Sequence, residues 1–472
     1  MSRIYFDSNV YSKLRNNQTN QYKLLNKLLN QYKDNLSFFF SIAHIRDKKR
    51  DISEHKFADF KFIESFTKDN YIAYHPLEKR TTFYLATPKM VFDDDQDDDF
   101  NVRSVFDLFT PSDDDEPMVR SVKSLMNRFV DLPMYENIDL VEVPEEQKAV
   151  LSKIFPTDKP ILTMKDMMTA QIELYEEMIT NHQLYKKLRW MVDEGINNGR
   201  FTLNNSEVDF NLAFKDSVFK KSFFEFVRDS LNKKPNENIP VYDFYIQAYH
   251  CLDLLGISKD EISRKNNYNN LLNDGIHSYF AQYCDYYVSE DKKSLAKSRA
   301  LYEQFEIQTK ILTVDDFIEA LPAIGVSTDE NLAFFSDKLA KDIEECSKNE
   351  KLPTDLGHQC YLELNHTYLN FFDVLMEVKE NDVYHFLLRQ RPKHNLSTPN
   401  FREKGAIIDR CMTILGPDIY QKGYFNFEKE SEEIRNDAWE GRYWKIGSLL
   451  VSLVKHHALK DLCLILSPFP SK

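Results

Sequence analysis

The chain has 472 residues, of which 42% are hydrophobic and 13% aromatic, a composition typical of globular rather than disordered proteins. A formal net charge of −14 argues against a protein that binds nucleic acid over most of its surface, and the 11 glycines form neither a P-loop nor a GxGxxG motif. Six cysteines without a C-x-x-C pair argue against a zinc ribbon and a disulfide framework, and the apolar run at 446–454 is too short to span a bilayer. We therefore expect a cytoplasmic protein of roughly two to four domains that does not contact a membrane.

Residues 1–79 alternate between strand and helix patterns. Strands are predicted at 3–7 and 36–41, and each is followed by a helix, the first over YSKLRNNQTNQYKLLNKLLNQYK and the second from IAHIRDKKRD. The segment 59–76 is predicted to be a helix followed by a short strand. This alternation is typical of βαβ units around a parallel sheet.

Residues 80–238 are predicted to form a mainly helical insertion, with amphipathic helices at 164–196 and 217–233. Two acidic runs, DDDQDDD at 93–99 and DDDE at 113–116, together hold ten carboxylates. Clustered like charges repel and stay hydrated, so we expect solvated, mobile loops there, with a cation store or a nucleic-acid mimic as the alternatives. Without these runs the chain is only mildly acidic, which leaves room for a local basic surface.

The strand–helix alternation returns at 239–322. The predicted elements are, in order, helices at 241–257 and 269–284, a strand at 285–291, a helix, and a strand at the start of 309–317. Residues 323–472 are predicted to be mostly helical. The expected fold class is therefore α/β: a mainly parallel sheet encoded in two halves, 1–79 and 239–322, with the insertion between them and a helical C-terminal region after them.

Four aspartates lie where an open parallel sheet collects its ligands. Asp7 is the last residue of the first predicted strand, and Asp291 closes a later one. Asp47 lies in the first turns of the helix after the second strand, and Asp274 shares a helix face with His277. A helix N-cap is the alternative reading of Asp7. Carboxylates held this close would force some of their number to protonate, and a hard cation such as Mg²⁺ or Mn²⁺ relieves that repulsion.

Together these motifs resemble a PIN-like nuclease domain. They are IYFDSNV, SIAHIRD, NDGIHSYFAQYCDYYVSED and TKILTVDDF, and they follow the family's order of a strand ending D-x-N, an S-x5-E/D segment, a D-x-x-H/I helix and a strand ending T/S-x-D. The resemblance covers about residues 1–75 and 239–320, roughly a third of the chain. It implies a three-layer α/β/α core around the sheet.

The resemblance also implies four catalytic, metal-binding acids with two polar supporting residues, at Asp7, Asp47, Asp274, Asp291, Asn9 and Ser289. Asp47 stands where a glutamate is commoner, and its shorter side chain reaches less far. His277 is either a supporting partner of these acids or a satisfied, partly buried histidine. Lys292 and Arg299 either receive the phosphate backbone of a substrate or belong to a solvated helix face.

The function that the resemblance implies is a metal-dependent nuclease that uses Mg²⁺ or Mn²⁺. An endoribonuclease is expected, with RNA favoured over DNA because RNA is the commonest substrate of PIN-like proteins. Helical regions around a small nuclease core suggest a regulated bacterial toxin or antiphage effector. These regions would bind a regulatory partner or a second copy of the chain, and the 93–116 segment would lie over the metal edge and repel nucleic acid. The alternative is a catalytically silent PIN-like scaffold or sensor module that binds nucleic acid or protein.

Overall fold

In the residues that the structure describes, two sheets organise the fold, one with six strands and one with seven, and a two-stranded ribbon lies between them in the sequence. The structure is a computed structural model. It describes residues 1–49, 53–95, 110–136, 140, 143–156, 159–192, 210–217, 219–231, 238–255, 268–325, 331–349, 352–354, 357–380, 383–391, 400–436, 438–457, 459 and 461–469.

The first part of the chain has the strand–helix alternation predicted for it. Its elements are β1 (Ser2–Phe6), α1 (Ser8–Asn16), α2 (Asn20–Tyr32), β2 (Leu36–Ser41), α3 (Ile42–Lys49), α4 (His55–Thr67), β3 (Asn70–His75) and β4 (Arg80–Leu85). Two helices begin at side-chain caps, because Asp7 accepts a hydrogen bond from Asn9 N and Thr19 accepts one from Tyr22 N.

The predicted helical insertion follows, with a short strand pair inside it. Its described elements are α5 (Pro88–Asp95), α6 (Pro117–Val130), β5 (Pro133–Glu136), α7 (Glu145–Ile154), β6 (Ile161–Thr163), α8 (Met164–Thr180), α9 (His182–Val192), α10 (Phe210–Ala213) and α11 (Phe223–Ser230).

Two predictions about the insertion need correction. β4 pairs with β3 in the main sheet, so the insertion begins after Leu85 rather than at residue 80. The first acidic run begins inside a helix, because Asp93–Asp95 form the end of α5 rather than a loop; residues 96–99 lie outside the described residues. The second run, 113–116, lies in the turn before α6.

The second half of the α/β core resumes the alternation. Its elements are α12 (Val241–Leu254), α13 (Tyr268–Ala281), β7 (Tyr286–Val288), α14 (Lys292–Gln304), β8 (Lys310–Leu312) and α15 (Val314–Gly325). Its strand β7 is shorter than the predicted 285–291, because α14 already begins at Lys292 and Asp291 is its N-cap.

Both halves build one mixed sheet, in the order β4-β3-β2-β1-β7-β8. All neighbours are parallel except β3 and β4, and the central strand β1 lies between β2 and β7. Along β1, Tyr5 packs into one apolar cluster while Ile4 and Phe6 pack into another. Both faces of the sheet are therefore covered by apolar side chains, which explains why its strands read as nearly continuous apolar runs.

The prediction of a mostly helical C-terminal region is wrong. Antiparallel strands in the order β13-β14-β15-β12-β11-β10-β9 form its sheet. Its elements are α16 (Leu332–Cys346), β9 (Leu352–Thr354), β10 (Gly357–Tyr368), β11 (Phe372–Glu380), β12 (Val383–Arg389), α17 (Phe401–Leu415), α18 (Phe427–Arg435), β13 (Arg442–Ile446), β14 (Leu449–Lys455) and β15 (Leu462–Pro468).

This region contacts the six-stranded sheet at the amino ends of its parallel strands. Arg3, near the start of β1, forms a buried ion pair with Glu403 of α17, with 2.7 Å between Nε and Oε1. Asp69, just before β3, pairs with Arg402 at 2.7 Å. The carboxyl ends of the strands, where the predicted site residues lie, are at the opposite edge of the sheet.

All six cysteines are free and buried. Burial raises the pKa of the Cys251 and Cys463 thiols to about 12, so both are protonated near neutral pH. Within the part of the chain that the structure describes, every helix is too short or too polar to cross a membrane.

Candidate metal centre

The first part of the candidate site forms where β1 and β7 end side by side. Asp7 N extends their pairing by donating to Val288 O at 3.0 Å. The buried Ser289 hydroxyl then donates to Asp7 Oδ2 at 2.7 Å and accepts from Asp291 N at 3.1 Å. Asn9 N donates to Asp7 Oδ1 at 3.3 Å. Asp7 is therefore a helix cap and a buried site carboxylate at once, and Ser289 joins it to the neighbouring strand end.

The second part is Asp47 on α3, which faces side chains of α13. His277 Nε2 lies 2.9 Å from Asp47 Oδ2, and the Asn273 amide donates to Asp47 Oδ1. Asn273 also donates to Ala43 O at 2.8 Å, which ties the two helices together. The side chain of Asp47 remains 31% exposed, whereas that of His277 is 2% exposed. Asp47 is thus held from the protein side and open toward solvent.

A buried polar chain extends from His277 into the core. The Tyr5 hydroxyl lies 2.9 Å from His277 Nδ1 and 2.6 Å from Ser41 Oγ. His44 is adjacent: its Nε2 donates to Phe6 O at 2.7 Å and its Nδ1 accepts from Ser41 N at 3.2 Å. Burial lowers the pKa of His44 to about 3, so this imidazole is neutral and structural.

The charges of Asp7, Asp47 and His277 are coupled. Desolvation raises the pKa of Asp7, and the charge of Asp47 raises it further, against the lowering effects of His277, Ser289 and Asn9. Desolvation acts on Asp47 too, but hydrogen bonds from His277 and Asn273 outweigh it and lower its pKa. Burial opposes the charged form of His277, yet its contact with Asp47 and the charge of Asp7 raise its pKa.

One open cleft of about 840 Å³ contains all four predicted acids in its lining: Asp7, Asp47, Asp274 and Asp291. Potential ligand atoms of Asp7, Asp47 and His277 lie within 4.8 Å of one another. Asp274 and Asp291 lie outside that compact group, and Asp291 Oδ1 caps α14 by accepting from Lys293 N and Ser294 N at 2.9 and 3.0 Å. Two carboxylates close together in a polar cleft suit a hard divalent cation.

The remaining cleft residues were only partly predicted. Asn9 lines the cleft as expected, but neither Lys292 nor Arg299 is among the described residues that line it. Its basic side chains belong to α3 instead, at Arg46, Lys48 and Lys49, and α8 of the insertion adds Tyr175 and Ile179. A basic run beside Asp47 was the available signal for the α3 residues. No spacing rule connects α8 to the cleft, because the contact depends on how the insertion folds back.

Comparisons of this chain with protein-family models, with curated proteins and with solved structures found no match. The chemistry of the cleft is therefore the basis for assigning a function.

Proposed function

We propose that this chain is a divalent-metal-dependent nuclease with a PIN-like domain, and that it cuts RNA internally. The observation that carries the proposal is the cluster of Asp7, Asp47 and His277, whose ligand atoms lie within 4.8 Å of one another at the carboxyl edge of a parallel sheet. Asp274 and Asp291 line the same cleft, so all four acids of the motif pattern reach one space. A catalytically silent descendant would be expected to lack some of them.

The charges at the site favour a cation between the acids. Asp7 has a raised pKa partly because Asp47 repels its charged form, and a divalent ion would remove that repulsion. Asp7 and Asp47 would hold Mg²⁺ or Mn²⁺ directly, and Asp274 and Asp291 would hold its water shell. When bound, such an ion supplies a Lewis acid for phosphate oxygens and lowers the pKa of water for in-line attack on a phosphodiester.

The protein's own residues orient these acids. Ser289 holds Asp7 Oδ2, while His277 and Asn273 hold the two oxygens of Asp47. Partners of this kind fix the direction of ligand lone pairs and are needed for full metal affinity. The contacts of His277 with Tyr5 and Asp47 support a positioning role for this side chain rather than a place in contact with the substrate.

The family assignment and the cellular role are part of the proposal. The mixed sheet with β1 at its centre and an apolar cluster on each face supports a three-layer α/β/α core. RNA as substrate comes from the resemblance to PIN-like proteins. A regulated bacterial toxin or antiphage effector in the cytoplasm fits a nuclease cleft that α8 of a helical insertion helps to line.

Cleavage assays test the proposal directly. End-labelled single-stranded RNA and DNA are incubated with Mg²⁺, with Mn²⁺ or with EDTA. The wild type is compared with Asp7→Asn and Asp291→Asn, and Glu303→Gln, on the exposed face of α14, is the matched control. Metal-dependent internal cuts in RNA are expected from the wild type and the control, with loss of cutting in both aspartate variants.

One result would contradict this, and another would call for a second measurement. Cutting by Asp7→Asn at the wild-type rate would remove the carboxylate site from the reaction. If the wild type cuts neither substrate, calorimetric titration with Mn²⁺ decides the alternative: binding that Asp7→Asn abolishes indicates an enzyme held inactive, and absence of binding indicates the scaffold or sensor module.

A further inference from the structure

The side of the cleft that contains Asp47 has a basic rim, which belongs to helix α3. Arg46, Lys48 and Lys49 surround Asp47 in the last turn of α3, and all three line the cleft. The chain has a formal net charge of −14, so three positive side chains beside a cluster of carboxylates form a local region of opposite charge.

Lys48 is held in place by groups of neighbouring helices. Its Nζ donates to Ser12 Oγ at 2.9 Å and pairs with Asp59 at 3.0 Å. Arg46, by contrast, is an exposed side chain. The rim thus combines a fixed cation with an accessible guanidinium, which can bind phosphate oxygens in a bidentate manner.

Lys49 forms an ion pair with an acidic residue of the insertion, Asp95. Its Nζ donates to Asp95 O at 2.9 Å and lies 3.2 Å from Asp95 Oδ2. The Asp95 side chain is only 12% exposed, so the contact is largely shielded from water. An ammonium group that contacts an anionic oxygen here has the geometry of a lysine–phosphate contact.

The position of Asp95 follows from the packing of α5. Phe92, one turn before Asp95, packs against the rings of Phe57 and Phe60 on α4, with centroids 5.7 and 5.3 Å away. Val91 and Phe92 belong to the apolar cluster on one face of the sheet. The acidic end of α5 is therefore anchored beside the basic rim by apolar contacts, independently of charge.

We propose that the basic rim of α3 binds the phosphate backbone of the nucleic-acid substrate. In the unbound protein, the carboxylate of Asp95 pairs with Lys49 in the place that a phosphate would take. The identity of the ligand rests on the proposed nuclease function. Substrate binding then replaces the Lys49–Asp95 contact with a Lys49–phosphate contact. The insertion thereby limits affinity for nucleic acid through Asp95.

The test measures binding without cleavage. Fluorescence anisotropy with a labelled single-stranded RNA in EDTA, over a range of salt concentrations, compares the full-length wild type with Arg46→Ala, Lys49→Ala and Asp95→Asn. Lys61→Ala on the exposed side of α4 is the control for a lost cation. Asp94→Asn is the control for a lost acid, since it removes the same charge one residue away and lies outside the described lining of the cleft.

Arg46→Ala and Lys49→Ala are each expected to weaken binding about two- to fivefold and to reduce the slope of log K against log salt by about 0.7. Asp95→Asn is expected to bind about two- to fivefold more tightly than Asp94→Asn. Affinity and slope like those of Lys61→Ala in both rim variants, equal binding by the two acid variants, or no binding by any protein at about 50 mM salt would each overturn the proposal. Because EDTA prevents metal-dependent cutting, a failure of the nuclease assay leaves this result readable on its own.

Discussion

At the scale of single residues, the hydroxyl of Ser289 is the contact that joins two strand ends into one site. It donates to Asp7 Oδ2 and accepts from Asp291 N, and the side chain is fully buried. Desolvation raises the pKa of Asp7. The hydrogen bond from Ser289 is one of the few interactions that favour the charged form of this carboxyl group. A hydroxyl of this kind controls how readily the carboxylate serves as a ligand.

Ser289→Ala is therefore expected to lower Mn²⁺ affinity about 10- to 100-fold, because Asp7 loses the hydrogen bond that orients and stabilises its carboxylate. Calorimetric titration of Mn²⁺ measures the effect. The matched control is Ser37→Ala, which changes a buried serine near the amino end of β2. This variant should bind Mn²⁺ as the wild type does. Equal affinity in both variants would show that Ser289 has no role in the site.

The meeting of the four acids in one cleft could be predicted from the sequence, whereas the surroundings of these acids could not. Asp7 and Asp291 are the last residues of two strand patterns, and the carboxyl ends of neighbouring parallel strands meet at one edge. The contact of Tyr5 with the site could not be predicted, since an aromatic residue inside an apolar run is normally assigned to the hydrophobic core. Its hydroxyl reaches His277 because Tyr5 and α13 pack into the same apolar cluster in the folded protein.

At the scale of elements, the C-terminal strands show where pattern reading fails. The segment FDVLMEVKE forms β11, although Leu, Met, Glu and Lys are good helix formers. Short apolar runs such as LLVSLVK in β14 cannot be told from buried helix by periodicity. Pairing with neighbouring strands decides the outcome, and that information lies far away in the chain.

The α/β core was predictable for the opposite reason. β1 and β2 are continuous apolar runs bounded by polar residues, each followed within one or two residues by a helix pattern. Local signals and the global fold agree there, so reading one stretch at a time is enough. β4 escaped this reading because it follows β3 as an antiparallel edge strand rather than through a crossover helix.

A buried ion-pair network joins α18 to β13 in the C-terminal region. Arg442 donates to both oxygens of Glu430, at 2.6 Å from Nη2 and 3.2 Å from Nε. Trp439 Nε1 and Asn426 N also donate to Glu430. Burial would raise the pKa of Glu430, but these donors outweigh it and hold the pKa below the ordinary value.

This network predicts a pH-dependent stability. Because the folded pKa of Glu430 lies below the unfolded value of about 4.3, its contribution is fully present above that pH and is lost as the pH falls through the folded pKa. Glu430→Gln should lower the free energy of unfolding by about 2 kcal/mol at neutral pH, and the difference from wild type should narrow below pH of about 4.3. Urea unfolding at both pH values measures this, with the exposed Glu432→Gln as control. A difference that stays constant with pH would contradict it.

At the scale of the whole molecule, the two ends of β1 serve different purposes. Arg3 binds Glu403 of α17 at the amino end, and Asp7 lies in the cleft at the carboxyl end. Four residues of extended chain separate these positions by about 13 Å. The C-terminal region therefore docks away from the cleft, while α5 and α8 of the insertion reach its lining through Asp95, Tyr175 and Ile179. Substitutions where the C-terminal region docks are therefore expected to change the free energy of unfolding. Substitutions in the cleft are expected to change metal binding and cleavage.

Glu403→Gln tests this separation. The substitution keeps a side chain that can cap α17 at its third position, but it removes the buried ion pair between Arg3 and Glu403. We expect a loss of about 3 kcal/mol in the free energy of unfolding, measured in urea against the exposed Glu428→Gln control. Mn²⁺ affinity and RNA cleavage, measured well below the unfolding midpoint, should equal those of the wild type. A parallel loss of Mn²⁺ affinity would instead mean that the docked C-terminal region sets the geometry of the cleft through β1, and the two ends of the sheet would then act as one unit.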